Sequence, residues 1–210
     1  MSGARPIVEP VAVRPLFKED AAAVAQLHMS GIQGGFITSL GDRFVTALYA
    51  AIARSPYGFG IVAECQGTII GFVTFATDIK RLYRSVLARG GLRMAGSLVG
   101  QVFHISVIKG ILQNLLYPHR MRTYNLPDAE LLSVGVSIVR QRTGLATQLV
   151  TEGLRECVRR KVKRVKVLVA ETNAAANRLY QKCGFALTCK TTSHGITSNV
   201  YVIEMPDAPC

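Results

Sequence analysis

The stretch from 129 to 170 constrains the fold most. A β-rich run, AELLSVGVSIV (129–139), leads into an amphipathic segment over 142–160 and then a second β-rich run, RVKVLVA (164–170). Runs of this kind read as strands, and apolar residues at helical spacing read as a helix. Within 142–160, Leu145, Leu149, Cys157 and Val158 fall near one face, beside Ala146, Val150 and Gly153. Glu152/Arg155 and Glu156/Arg160 are spaced to pair on the other face. A second helix is expected over 173–183, closed by Gly184, a favoured residue just past a helix end. Two antiparallel strands, 185–192 and 197–204, should flank His194-Gly195.

The first half of the chain has simpler punctuation. Residues 11–16 alternate and then meet a proline, which predicts a short strand. An Ala-rich helix is expected over 18–30, broken by Gly31, Gly34 and Gly35. Residues 36–54 carry Phe36, Leu40, Phe44, Ala47, Leu48 and Ala51 at helical spacing, with Gly41 placed to split the stretch. GFGIVAE (58–64) and TIIGFVTFA (68–76) form a hairpin around Cys65-Gln66-Gly67. The order is β-α-α-β-β-insert-β-α-β-α-β-β, without internal repeats. It predicts one mixed α/β (α+β) domain over 1–210. An apolar share of 49% with only 18% charged residues excludes a disordered chain.

The insert stands apart. Residues 79–127 contain eight Lys/Arg and no Asp or Glu, so they supply +8 of the net +12. The apolar centre, 94–117, is expected to be helical, which makes 79–122 a helical insertion. A membrane-spanning helix needs about 20 mainly apolar residues. Gln101, His104, Lys109, Gln113 and Asn114, with Gly100 and Gly110, interrupt this one. Its polar positions change face near 105, which predicts two short amphipathic helices. These could pack on the domain, form a homodimer contact, or lie on an anionic membrane face as a peripheral anchor. No aromatic-plus-basic RNA motif is visible, so nucleic acid is not expected as a partner. The five cysteines (65, 157, 183, 189, 210) have no metal-type spacing, and neither a metal site nor a disulfide framework is expected. With no basic start leading into an apolar run in 1–16, a cytoplasmic location is expected.

Two segments carry the chemistry. Gln141-Arg142-Thr143-Gly144-Leu145-Ala146 joins a strand end to a helix start. The first N–H groups of a helix have no intrahelical partners, and small residues let a ligand approach the backbone. An anion, such as a pyrophosphate, suits that corner. It is neither a P-loop, for no Gly-Lys-Ser/Thr follows, nor a dinucleotide fingerprint, for the Gly spacing differs. The second segment is Asn173-Ala174-Ala175-Ala176-Asn177-Arg178-Leu179-Tyr180-Gln181-Lys182-Cys183-Gly184-Phe185.

Together the two segments resemble the GNAT superfamily of N-acetyltransferases. The acetyl-CoA loop of that family, Q/R-x-x-G-x-G/A, is matched by Gln141, Gly144 and Ala146. Its helix motif, N-x-x-A-x-x-L-Y-x-K-x-G-F, is matched by Asn173, Ala176, Leu179, Tyr180, Lys182, Gly184 and Phe185. The resemblance covers 129–205 in motifs and 11–77 in element order, and it leaves out 79–127. It implies a central, mostly antiparallel sheet flanked by helices, with the insertion between the third and fourth strands. It also implies acetyl-CoA as acyl donor, with no metal, and direct attack of a primary amine on the thioester. The pantetheine arm would pair with the backbone around Val134 and Val136. N–H groups of Arg142, Thr143, Gly144, Leu145 and Ala146 would hold the pyrophosphate, and Asn173 with Ala176 would meet the arm from the other side.

The resemblance places Tyr180 beside the thioester sulfur as the acid. Glu130, at the start of the fourth strand, is the candidate base. Glu171 and a water relay remain open, because Leu168, Val169 and Ala170 are apolar where some relatives carry a Glu. None of His28, His104, His119 and His194 is singled out, and a covalent path through Cys183 is not implied. The FITSLGDRFVTALY segment resembles bacterial members and favours a small amine or amino sugar as acceptor. A protein amine is the alternative. The rival class is a non-enzymatic basic module, binding a membrane or nucleic acid, on the same scaffold.

Overall fold

In a computed structural model of the protein, the described residues are 10–32, 36–86, 125–193 and 195–206. Most of the 79–122 insertion, including its two expected amphipathic helices, lies outside them. So do Gly34, Gly35, His104, His119 and His194. The elements are β1 (Ala12–Pro15), α1 (Ala21–Gly31), α2 (Phe36–Ser39), α3 (Asp42–Arg54), β2 (Gly58–Cys65) and β3 (Thr68–Ala76). A helical segment over 79–86 follows. After it come β4 (Glu130–Val136), α4 (Leu145–Arg159), β5 (Arg164–Ala170), α5 (Ala174–Lys182), β6 (Ala186–Ser193) and β7 (Ile196–Glu204).

The boundaries differ from the expected ones where local geometry wins over pattern. The 129–139 run stops pairing at Val136, and Ile138–Arg140 coil into a 3-10 turn that leaves Ile138 and Val139 exposed. Apolarity alone therefore overextended this strand. Helix α4 starts at Leu145, three residues later than the pattern suggests, because Arg142 and Gly144 take positive φ of 61° and 87°. Gly41 does split 36–54, at φ 83°.

Seven strands form one sheet in the order β1-β2-β3-β4-β5-β7-β6. Every neighbouring pair is antiparallel except β4 with β5. Helices cover both faces, so strand residues on both sides are buried and there are two cores. The first holds Phe59, Phe75, Leu131, Val167 and Tyr201 under α4 and α5, with Leu149, Leu154 and Tyr180. The second holds Val62, Phe72 and Ala76 under α1 and α3, with Val24, Val45 and Tyr49, and takes in Ile79, Leu82 and Val86 of the 79–86 helix. Burying a large apolar side chain contributes roughly 1.5–3 kcal/mol, so the two layers supply the main favourable term. The pairs along α4, Arg155–Glu152 at 3.0 Å and Arg160–Glu156 at 2.7 Å, form as their spacing predicts, but exposed pairs add little.

One close approach sets how near α4 sits to the sheet. A Cβ added at Gly153 would lie 2.1 Å from Cε2 of Phe75. That ring cannot retreat, because it is fully buried and stacked on Phe59 at 5.2 Å. Gly→Ala inside a helix normally gains about 0.5–1 kcal/mol, whereas overpacking a core costs about 1–3 kcal/mol. The clash should win. Gly153→Ala is expected to lower the unfolding free energy by about 1–2 kcal/mol in urea melts. An unchanged or raised midpoint would show that α4 can lift without cost.

Candidate functional site

The sheet opens in its middle. Strands β4 and β5 pair only at Glu130↔Lys166 and Leu131↔Val167. Beyond those rungs, 132–136 and 168–170 run on without pairing to each other. The parting coincides with a bulge: Thr74 pairs with Ser133 and Phe75 with Leu131, so Leu132 has no opposite residue on β3. The free edge of β4 can be assigned. Ser137 N–H donates to Ile70 O at 2.9 Å and so faces β3. Successive residues of an antiparallel strand point alternately, which turns the N–H and C=O of Val136 and Val134 toward the gap. A ligand lying there could add itself as a strand.

The end of β4 leads directly to a helix N-terminus. Thr143 Oγ1 donates to Arg140 O at 2.7 Å and closes the turn. Gly144 is the N-cap residue of α4 at φ 87°, and no side chain caps the helix. The first intrahelical bond runs from Gln148 N–H to Gly144 O, at 3.0 Å. The N–H groups of Leu145, Ala146 and Thr147 therefore lack helical acceptors, and a Cβ at Gly144 would meet nothing within 4 Å. This is an open, partly positive backbone corner, with the exposed Arg142 beside it. The cationic cluster of Arg155, Arg159 and Arg160 is at the other end of α4 and is paired with Glu152 and Glu156.

Helix α5 is fixed at both ends, and this fixes Tyr180. Asn173 caps it, its Oδ1 accepting from Ala176 N–H at 3.1 Å. The cap occupies one end of the Asn173 amide and leaves Nδ2 for other contacts. At the C-terminus Gly184 N–H donates to Gln181 O and Phe185 N–H to Tyr180 O, both at 3.0 Å. Gly184 has φ 90°, and the Phe185 ring meets Tyr180 edge-on at 5.9 Å. This double bond pattern, with its apolar contact, is a Schellman stop. The Y-x-K-x-G-F spacing is thus first a device that ends the helix and holds the Tyr180 ring in the first core. Burial there, 5% exposed, raises the phenol well above its usual value, and no hydrogen bond among the described residues offsets it.

Asn177 secures the open end of β5. Its Nδ2 donates to Ala170 O at 3.0 Å and Asn173 O at 2.8 Å, and its Oδ1 accepts from Asn199 Nδ2 at 2.8 Å and Tyr201 Oη at 2.9 Å. Sequence reasoning passed over it. The signal was a polar residue at a buried position of an amphipathic helix, which needs partners.

Glu130 lies at the vertex of the opening, its side chain 14% exposed. Lys166 Nζ, from the same rung on β5 and only 4% exposed, approaches Glu130 Oε2 at 3.3 Å and donates to Pro127 O at 2.5 Å. Tyr83 of the 79–86 helix is near; burial and then the Glu130 charge push its phenol up. Burial raises the Glu130 carboxyl above its ordinary value, with Lys166 pulling the other way. Lys166 was the other omission, signalled by a lysine in the middle of an apolar strand. Glu171 points elsewhere and pairs with Lys190 at 2.5 Å.

The fold as a whole recurs in known proteins. The sequence model of the acetyltransferase (GNAT) family matches residues 29–185. No curated protein matches the sequence. Solved structures match over nearly the whole chain. The ribosomal-protein-S18-alanine N-acetyltransferase from Escherichia coli shares 13% identity over 95% of this chain and 97% of its own, at a TM-score of 0.59. An N-acetyltransferase from Staphylococcus aureus Mu50 shares 17% over 93% and 98%, at 0.62. YncA from Salmonella typhimurium, a putative acetyltransferase solved with its cofactor acetyl-CoA, shares 16% over 96% and 97%, at 0.61. At these identities the structures establish the fold, and the family match, spanning most of the sequence, establishes the rest: this chain belongs to the acetyltransferase (GNAT) family.

Proposed function

We propose that the protein transfers the acetyl group of acetyl-CoA directly to a primary amine. The observation that carries this reading is the free edge of β4 running into an uncapped helix N-terminus. Val134 and Val136 offer the arm alternating N–H and C=O partners, as an added strand would find. The backbone of 141–146 offers donors to a diphosphate, supported by the α4 dipole. Asn173 contributes Nδ2, and the partly buried Ala176 its methyl, on the α5 side. The neighbour from Salmonella that holds acetyl-CoA supports the choice of donor.

Two proton problems shape the roles. An alkyl ammonium titrates near 10 and must lose a proton before it can attack. Glu130 accepts it: a carboxyl raised by burial is a stronger base than an exposed one. The raised value also sets the sign of the pH dependence, since activity needs the carboxylate and should rise as pH passes upward through it. The thiolate that leaves needs a proton. Tyr180, raised by burial, stays protonated through the neutral range and donates it.

The acceptor is a small amine, an amino sugar first, on the likeness of the 36–49 segment to bacterial members. A protein amine is the second reading, favoured by the S18-alanine neighbour.

Acetyl-CoA at 100 times its dissociation constant should stabilise the fold by about 2.7 kcal/mol in thermal melts, and no shift would remove it as ligand. Tyr180→Phe should cut kcat by about 100-fold or more while leaving acetyl-CoA affinity within about twofold. Wild-type turnover in that variant would take Tyr180 out of the mechanism. Glu130→Gln should lower kcat/KM by a similar factor and remove the part of its acid-side fall that the carboxyl causes, and an unchanged pH profile would exclude Glu130 as base.

A further inference from the structure

A chain of polar side chains leads from the opening of the sheet into the second core. Ser133, half-buried on β4 next to the bulged Leu132, places Oγ 3.0 Å from Tyr49 Oη. Tyr49, on α3, places Oη 2.6 Å from Nδ1 of His28 on α1. His28 Nε2 lies 3.3 Å from Oγ1 of Thr38, which is again partly exposed. Thr74 Oγ1 on β3 adds a fifth member, 2.8 Å from Ser133 Oγ. Tyr49 and His28 are 2% and 5% exposed, so the chain joins two accessible ends through a buried interior.

The direction of this chain follows from one anchored bond. Thr38 Oγ1 spends its proton on Ile32 O at 2.6 Å, so toward His28 it can only accept. Nε2 of His28 must then carry the hydrogen, and Nδ1 is bare. Tyr49 therefore donates to Nδ1, Ser133 donates to Tyr49, and Thr74 donates to Ser133. The hydroxyl hydrogens of Tyr49, Ser133 and Thr74 all point toward His28. Ser133 Oγ keeps one lone pair that no described group uses, on a half-buried residue of β4 beyond its last rung with β5.

We propose that Ser133, Tyr49 and His28 form a proton relay that drains the acceptor nitrogen during acetyl transfer. This rests on the reading of the protein as an amine acetyltransferase. An ammonium acceptor loses two protons on the way to an amide, and Glu130 accounts for one. The free amine then forms the N–C bond to the acetyl carbon as the C–S bond breaks. The second proton passes from nitrogen to Ser133 Oγ, the Ser133 proton to Tyr49 Oη, and the Tyr49 proton to His28 Nδ1, which becomes imidazolium. The electron pair of the C–S bond leaves on sulfur, which takes the Tyr180 proton. Exchange with solvent returns a proton to Tyr180 and releases those held by Glu130 and His28.

His28 suits the terminal position. Burial alone lowers its pKa, and no carboxylate or ammonium among the described residues contributes. The groups that face it are Tyr49 from α3 and Thr38 from α2, with Ser133 of β4 and Thr74 of β3 behind Tyr49. The imidazole is thus neutral at neutral pH, a weaker base than an exposed one but with Nδ1 bare, and it loses the capacity to accept as pH falls through its lowered value.

The test has two arms on the full chain. Long-range ¹H–¹⁵N spectra of the His28 ring should show the Nε2–H form; an Nδ1–H form overturns the relay without any turnover. In kinetics with acetyl-CoA, the probes are glucosamine, spermidine and a peptide beginning with alanine. Tyr49→Phe and the milder Ser133→Ala, which retains the fold if Tyr49→Phe does not, should lower kcat at least about tenfold. The acid-side slope of log kcat/KM should also drop from two to one, because only Glu130 must then be ionised. A folded variant with wild-type kcat, or a slower one with the slope still at two, contradicts the relay. If the wild type acetylates none of the three amines, the acetyl-transfer reading fails and the relay loses its reaction. If the wild type is active and the variants match it, the relay fails alone.

Discussion

A strand in the middle of a sheet ordinarily satisfies its peptide groups on both sides, and β4 does so on only one. After two rungs it parts from β5, and the backbone of Val134 and Val136 is left facing a gap. A buried peptide group without a partner costs about 1–3 kcal/mol, so an opening of this kind persists only where something holds the strands apart. Here the hold is visible. The Leu132 bulge bends β4 on one side, and on the other Asn177 ties the end of β5 to α5 and β7. The strand then turns through Gly144 into a helix whose first N–H groups are uncapped. One continuous stretch of backbone thus presents strand-like partners and then anion-like partners, in the order in which an extended arm ending in a diphosphate would need them.

The sheet also separates the groups that would otherwise neutralise one another. Tyr180 belongs to the core under α4 and α5, whereas Ser133 faces the core under α1 and α3, and Glu130 lies near Tyr83 on that same side. Among the described residues, the gap between β4 and β5 interrupts the sheet between these two sides. A single physical cause tunes all three titrating groups. Burial penalises the charged form, so it raises the phenol of Tyr180, raises the carboxyl of Glu130 and lowers the imidazole of His28. The results are a phenol that keeps its proton, a carboxylate with raised proton affinity and an imidazole that stays neutral. No two of these need a neighbouring charge of special design, although Lys166 moderates Glu130.

Much of this was legible before any coordinates, and for local reasons. The hairpin at Gln66-Gly67, the helix stop at Gly184 and the turn at Gly144 are written in residues whose backbone preferences act over a few positions. Tyr180 was reachable because the helix stop that orients it is encoded within the same six residues. What stayed hidden depends on distance in the chain. His28 and Tyr49 are 21 residues apart, and Tyr49 and Ser133 are 84 apart. Nothing in either neighbourhood announces the other, so His28 did not stand out among the four histidines. The strand end at Val136 was misplaced because Ile138 and Val139 carry a β-like pattern into an exposed turn. The parting of β4 from β5 is a property of pairing, which neither strand's composition records; it was expected only from the resemblance to the family.

On the proposed function, the free edge of β4 receives the arm of the acetyl carrier. Amide hydrogen exchange read residue by residue tests it most directly, because it reports on those N–H groups themselves. On addition of saturating acetyl-CoA, the amides of Val134 and Val136 should exchange at least about tenfold more slowly, together with those of Leu145 and Ala146, as new hydrogen bonds form. Slowing confined to other parts of the fold, with these four amides unchanged, would contradict the account.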